Sequence, residues 1–191
     1  VDLDLFTPES FDVGELEAFL SQRYGFQTAF RRPDTLKGMI DGVKIDCIAH
    51  KYAYLRQPYV ESGIRLYSIE DIVAMKLSAI ADDGSRLKDF VDIACLSTRI
   101  PFYEMLKCYE RKFPQANVIR PFKALTYFDD IDFGEDIVML NFEYDWKQIA
   151  RRLKEMTVRQ EHIFSQWPLK EQKLPAAEDK DITSMKRGRK R

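Results

Sequence analysis

Apolar and acidic residues alternate through Val1-Asp2-Leu3-Asp4-Leu5-Phe6, which predicts a strand with one dry and one acidic face. Thr7-Pro8-Glu9-Ser10 breaks it. The spacing of Leu16, Phe19 and Leu20 predicts an amphipathic helix over residues 12–24, with Gly25 as a left-handed C-cap. Apolar runs at 26–30, 36–40 and 43–49 follow, separated by Pro33-Asp34 and Asp41-Gly42. An Asp-Gly pair between apolar runs is a strong two-residue hairpin signal. Ser68-Ile69-Glu70-Asp71 opens a helix to about Ala81, with Ser68 as N-cap and Asp71 as the capping-box carboxylate. A second helix starts near Arg86, and others are predicted at about 102–112, 117–126 and 145–165.

Strands come first and helices later, which argues for α+β segregation with a mixed sheet. The expected organisation is a core over residues 1–100, a helical region over 101–167 and a polar tail over 168–191. Apolar content of 45% is enough for a buried core. The net charge of −1 makes no case for a protein coated in nucleic acid, but it conceals an asymmetry. Lys186, Arg187, Arg189, Lys190 and Arg191 crowd the end, and without those five the remainder carries −6. That basic end reads as a solvated tail or as a grip on RNA phosphates. Cys47, Cys95 and Cys108 sit in apolar runs without metal-ligand spacing, as buried thiols of a reducing compartment do. No apolar stretch approaches the ~20 residues of a membrane span. Cytoplasmic placement and no membrane partner are the expectation. The chain begins with Val, which suggests that an upstream segment is missing.

Four segments carry candidate chemistry. Asp2 and Asp4 leave one face of their strand, and two carboxylates so placed repel unless a cation joins them. Mg²⁺ or Mn²⁺ suits such a pair, although an acidic solvent face at a chain end has the same pattern. Lys44 and Asp46 share a face of another strand, as a surface pair or as a third carboxylate for a two-metal site. Lys76 rises from the apolar stripe of Ile72, Ala79 and Ile80, so it must snorkel to water or meet a phosphate. Its removal is expected to leave the fold intact. Finally, Lys88, Asp89 and Asp92 line one side of a helix that Arg86 opens. This is either a surface ion ladder or, at the basic helix start, an anion site.

Together these segments resemble the AbiEii/AbiGii nucleotidyltransferase toxins, over roughly residues 1–145. The matching motifs are Asp2/Asp4, Lys44/Asp46, Asp71/Lys76 and Arg86/Lys88/Asp89/Asp92, with Lys112-Phe113-Pro114 and the run Lys123 to Asp130. The resemblance implies a polymerase-β-like core and transfer of a nucleoside monophosphate from an NTP to an acceptor, tRNA among them, with an antitoxin as partner. By the same analogy Asp2, Asp4 and Asp46 bind divalent metal, and Asp46 can take the acceptor proton. Lys44, Lys76, Arg86 and Lys88 meet the triphosphate, while Asp89 and Asp92 orient those bases or the acceptor. The family's Gly-Ser turn before Asp-x-Asp has no counterpart here, and Asp83 stands where an Arg is frequent. These departures point to a rival reading, an inactive module that binds an antitoxin or nucleic acid. A weaker third reading is hydrolysis or phosphorylation of a small molecule at the same metal site.

Overall fold

A computed structural model describes residues 2–134, 137–139 and 141–171. The chain forms two compact units: Val1–Met75 with Met105–Val118, and Lys76–Glu104 with Ile119–Arg191. Helices α2 (Ile69–Asp82) and α4 (Phe102–Lys112) contribute residues to both.

The first unit is built on a four-stranded mixed sheet of β1 (Asp2–Thr7), β2 (Gln27–Arg32), β3 (Thr35–Ile40) and β4 (Val43–Ala49). Its order is β1-β4-β3-β2, with β1 parallel to β4 and the other pairs antiparallel. Both predicted turns form. Arg32 pairs with Thr35 across Pro33-Asp34, and Ile40 with Val43 across Asp41-Gly42. Asp34, Asp41 and Gly42 take positive φ values of 60°, 49° and 77°, the backbone that tight hairpins demand. Opposite a bulge in β2, Gly38 leaves no room for a side chain, because a methyl there would run into the Gln27 carbonyl and the Phe26 ring.

Between β1 and β2 lies α1 (Val13–Tyr24), whose first turn is capped by the Asp12 carboxylate at 2.9 Å from the Glu15 amide. Its C-cap is Gly25 at φ 67°, as the sequence predicts. Val13, Leu16 and Leu20 pack with Phe26, Leu36, Ile45 and Cys47 on one face of the sheet. In β1 the expected dry face is not dry. Leu3 and Leu5 remain 47% and 46% exposed, because β1 is the edge strand while α1 lies over β2 and β3. A short hairpin, β5 (Tyr59–Glu61) and β6 (Ile64–Leu66), turns at Ser62-Gly63 and was not signalled by an apolar run long enough to read.

The second unit is mainly helical: α3 (Leu87–Leu96), α5 (Ile119–Ala124) and α6 (Trp146–Val158), with a small pairing of β7 (Phe142–Glu143) and β8 (Lys170–Glu171). α6 packs on α3 through an apolar stripe that buries Ile149, Leu153 and Met156. Phe90, Phe128 and Trp146 meet edge to face, with centroids 5.1–6.4 Å apart. α6 ends at Val158, short of the expected residue 165, and the chain beyond returns so that the Phe164 amide donates to the Ser97 carbonyl at 3.1 Å. No helix among the described residues is long and apolar enough to cross a membrane. Lys186 to Arg191 lie outside the described residues.

Candidate functional site

Register decides the first group of candidates. In the parallel pairing of β1 with β4, Asp2 is opposite Lys44 and Asp4 is opposite Asp46. Neighbours in register point to the same side of a sheet, so all four side chains leave the face opposite α1. Asp2, Asp4 and Lys44 are exposed, whereas Asp46 retains only 5% of its surface. The Lys37 ammonium on β3 donates to Asp46 Oδ2 at 2.6 Å. Asp46 Oδ1, also buried, has no hydrogen-bond partner. A buried carboxylate oxygen without a donor is costly, and a ligand supplying positive charge would remove that cost.

Lys37 is the residue that motif reading overlooks, although the signal was present. Counting back from the Asp41-Gly42 turn through Ile40↔Val43 brings Lys37 opposite Asp46 without further information. The β1–β4 register has no comparable marker, since the two strands are separated by α1 and a hairpin. Among the described residues no three or more His, Cys, Asp or Glu side chains stand close enough together to hold a metal. A cation on this face would therefore rest on the Asp4/Asp46 pair, within the one or two carboxylates Mg²⁺ ordinarily takes.

The second group lies on α2 and α3. Lys76 is paired with two carboxylates of α3. Its ammonium donates to Asp89 Oδ1 at 2.6 Å and lies 2.7 Å from Asp92 Oδ2. Burial alone would lower the Lys76 pKa, but Asp92 and Asp89 outweigh it and hold it above the usual lysine value. Against the expectation that Lys76 is dispensable for the fold, its removal would leave the buried Asp89 carboxylate without this counter-charge. Asp89 is 1% exposed, and its Oδ2 has no hydrogen bond, only the Arg86 Nε at 3.6 Å. Arg86 occupies the N-cap position of α3 without a side-chain cap bond, so Asp89 supplies the negative charge that the helix start favours. Lys88 is half-buried in the first turn, and Asp92 keeps 48% of its side chain exposed.

Asp71 behaves differently. It closes the capping interaction with Ser68, its amide 3.1 Å from the hydroxyl and its Oδ2 accepting the same hydroxyl at 2.7 Å. The carboxylate also accepts from the Leu55 amide at 3.1 Å and from Lys112 Nζ at 2.7 Å. Both members of the Lys112–Asp71 pair are fully buried. Burial would raise the Asp71 carboxyl, yet Lys112, Ser68 and the Leu55 amide together hold it below the usual carboxylate range. Lys112 lies 41 residues from its partner and no spacing rule links them. Nearby, burial first and the Lys112 charge second push the His50 imidazole down to about 4, against the pull of Asp71.

Comparison with known proteins gives the family of the chain. The family described as nucleotidyl transferase AbiEii toxin, type IV TA system, matches residues 43–168. That span contains Lys44/Asp46, Asp71/Lys76 and Arg86 to Asp92, and starts after β1. An uncharacterized protein of Aquifex aeolicus (strain VF5) is 29% identical over 159 residues, covering 80% of this chain and 75% of its own. No solved structure matches significantly. The family match extends over well more than half of the chain, which thus belongs to the AbiEii family of nucleotidyl transferase toxins.

Proposed function

We propose that this chain transfers a nucleoside monophosphate from an NTP to an acceptor hydroxyl, with cleavage of the α–β phosphoanhydride bond and release of pyrophosphate, with tRNA as the acceptor class, from a polymerase-β-like core. The observation that carries the proposal is the buried, partnerless Asp46 Oδ1 beside Asp4 on the adjacent parallel strand. A divalent cation bound there would polarise the phosphate under attack and lower the pKa of the acceptor hydroxyl. Lys37 engages one oxygen of the Asp46 carboxylate, and the other is left without a donor. In this reading Asp46 accepts the acceptor's proton, and Asp2 adds negative charge on the same face. Lys44 is the cation this face offers to the triphosphate, and the family resemblance gives Arg86 and Lys88 the same role. Lys76 acts by holding Asp89 and Asp92, which makes it a positioning residue in this arrangement. The toxin family supports an antitoxin as the partner that restrains this activity.

The test is transfer of label from each α-³²P NTP to total tRNA, with Mg²⁺ or Mn²⁺ added. Asp46→Asn should lower transfer by at least ~100-fold, the range expected for loss of an acid–base and metal-holding group. It should also weaken Mn²⁺ binding measured by electron paramagnetic resonance. Undiminished transfer by Asp46→Asn would refute the assignment. An absence of transfer with all four NTPs, alongside antitoxin binding, would favour the non-catalytic module instead.

A further inference from the structure

We infer that the cavity beside the C-terminal end of α6 is a contact site for a single-stranded nucleic acid. It deepens the acceptor reading and rests on it for the choice of RNA as first ligand. The cavity has a volume of about 390 Å³, enough for a nucleotide-sized group. Its floor is rigid. Arg152 is 8% exposed and donates to Ser97 Oγ at 3.0 Å and to the Gln166 carbonyl at 2.8 Å, with its guanidinium 4.2 Å from the Phe164 ring centroid. Its walls include the exposed Arg151 and Arg159, and His162. Neither of those arginines has an ion-pair partner among the described residues. Arg159 also lies 5.6 Å from the Phe164 centroid.

At the rim stands Trp167, 46% exposed, a large flat ring. Two unpaired guanidinium forks and an exposed indole supply what a nucleic-acid strand needs, phosphate contacts and a stacking platform for a base. The charge is concentrated on this helix. Lys147, Arg151, Arg152 and Lys154 lie in α6 and Arg159 follows it, against one carboxylate, Glu155. Such a basic run is notable in a chain whose net charge is −1. Glu155 weakens the field locally but leaves the arginines in excess.

The experiment measures binding of the full chain to a labelled single-stranded RNA of about 12 nucleotides by fluorescence anisotropy across salt concentration. A DNA of the same sequence and inorganic phosphate serve as competitors. The Arg151→Ala/Arg159→Ala double variant should weaken binding about 10- to 100-fold and reduce the salt slope by about two. Trp167→Leu should weaken binding without changing the slope. Arg65→Ala, which removes an exposed cation on β6, should change neither. Circular dichroism should show the Arg151/Arg159, Trp167 and Arg65 variants folded, since each of these side chains is exposed. Absence of strand binding would overturn the inference. So would an unchanged salt slope in the double variant, or competition by inorganic phosphate as effective as by the strand. Asp46→Asn should keep full RNA affinity, so loss of transfer and loss of this site can be told apart.

Discussion

Replacing Lys76 tests how the helical group of charges is held. Lys76→Met removes the ammonium 2.6 Å from Asp89 Oδ1, and Asp89 is 1% exposed. Its other oxygen keeps only Arg86 at 3.6 Å. Breaking a fully buried pair costs about 3–5 kcal/mol, mostly from the charge left behind. Lys76 is 27% exposed, and both water and Arg86 can compensate in part, so about 2 kcal/mol is expected here. With an m-value of about 2 kcal/mol/M, the urea midpoint should fall by about 1 M. Trp146 reports the transition, because it packs against Phe90 and Phe128. Adding Asp89→Asn should restore more than half of the loss, since a neutral amide needs no counter-charge. The pH dependence has a definite sign. A folded pKa raised above 10.5 means the Lys76 contribution is complete below about pH 10.5 and disappears as pH rises through the folded value. Wild type and Lys76→Met should therefore converge in alkali. A change below about 0.5 kcal/mol in Lys76→Met at neutral pH would refute the argument.

Lys112→Met should be costlier, about 3–5 kcal/mol, because both partners are wholly buried, and Lys112→Met/Asp71→Asn should recover part of it in a double-mutant cycle by urea unfolding. Acid should destabilise the protein through His50, whose folded pKa is about 4 against 6.5 for the free side chain. Between those values the unfolded state binds more protons, so stability falls as pH drops from about 6.5 towards 4. At about 1.4 kcal/mol per pKa unit, and discounted for the ring's partial exposure, the effect is about 2 kcal/mol. His50→Phe should flatten that slope in a pH series of thermal melts.

The β2–β3–β4 meander was legible because its turns declare themselves chemically. Pro33-Asp34 and Asp41-Gly42 fix not only the strands but also their register, and so the Lys37–Asp46 pair. The helix caps at Gly25 and Ser68 were legible for the same reason, since each satisfies backbone groups within a few residues. What could not be read depends on contacts distant in sequence. No local rule couples Lys112 to Asp71, and the apolar stripe around Lys76 gives no sign that the next helix brings two carboxylates to it. Likewise the alternation in β1 predicted a buried face, but burial depends on where α1 lies, and β1 is at the edge.

The acidic residues differ in how many of their lone pairs are already in use, and this separates architecture from chemistry. Asp71 receives Lys112, a hydroxyl and the Leu55 amide, so nothing is left for a ligand. Its contacts belong to the opening turn of α2 and to the ion pair with Lys112. Asp89 is intermediate, with one oxygen on Lys76 and the other on a long contact to Arg86. Asp46 has one oxygen engaged and one buried without a donor. A buried orphan oxygen is unfavourable in isolation and persists where something else compensates. The parallel register puts a second carboxylate, Asp4, beside it, which would aggravate the cost if no cation ever joined the two. Two carboxylates on adjacent strands, one of them with a buried oxygen that no donor reaches, form an arrangement that a divalent cation and a triphosphate would complete.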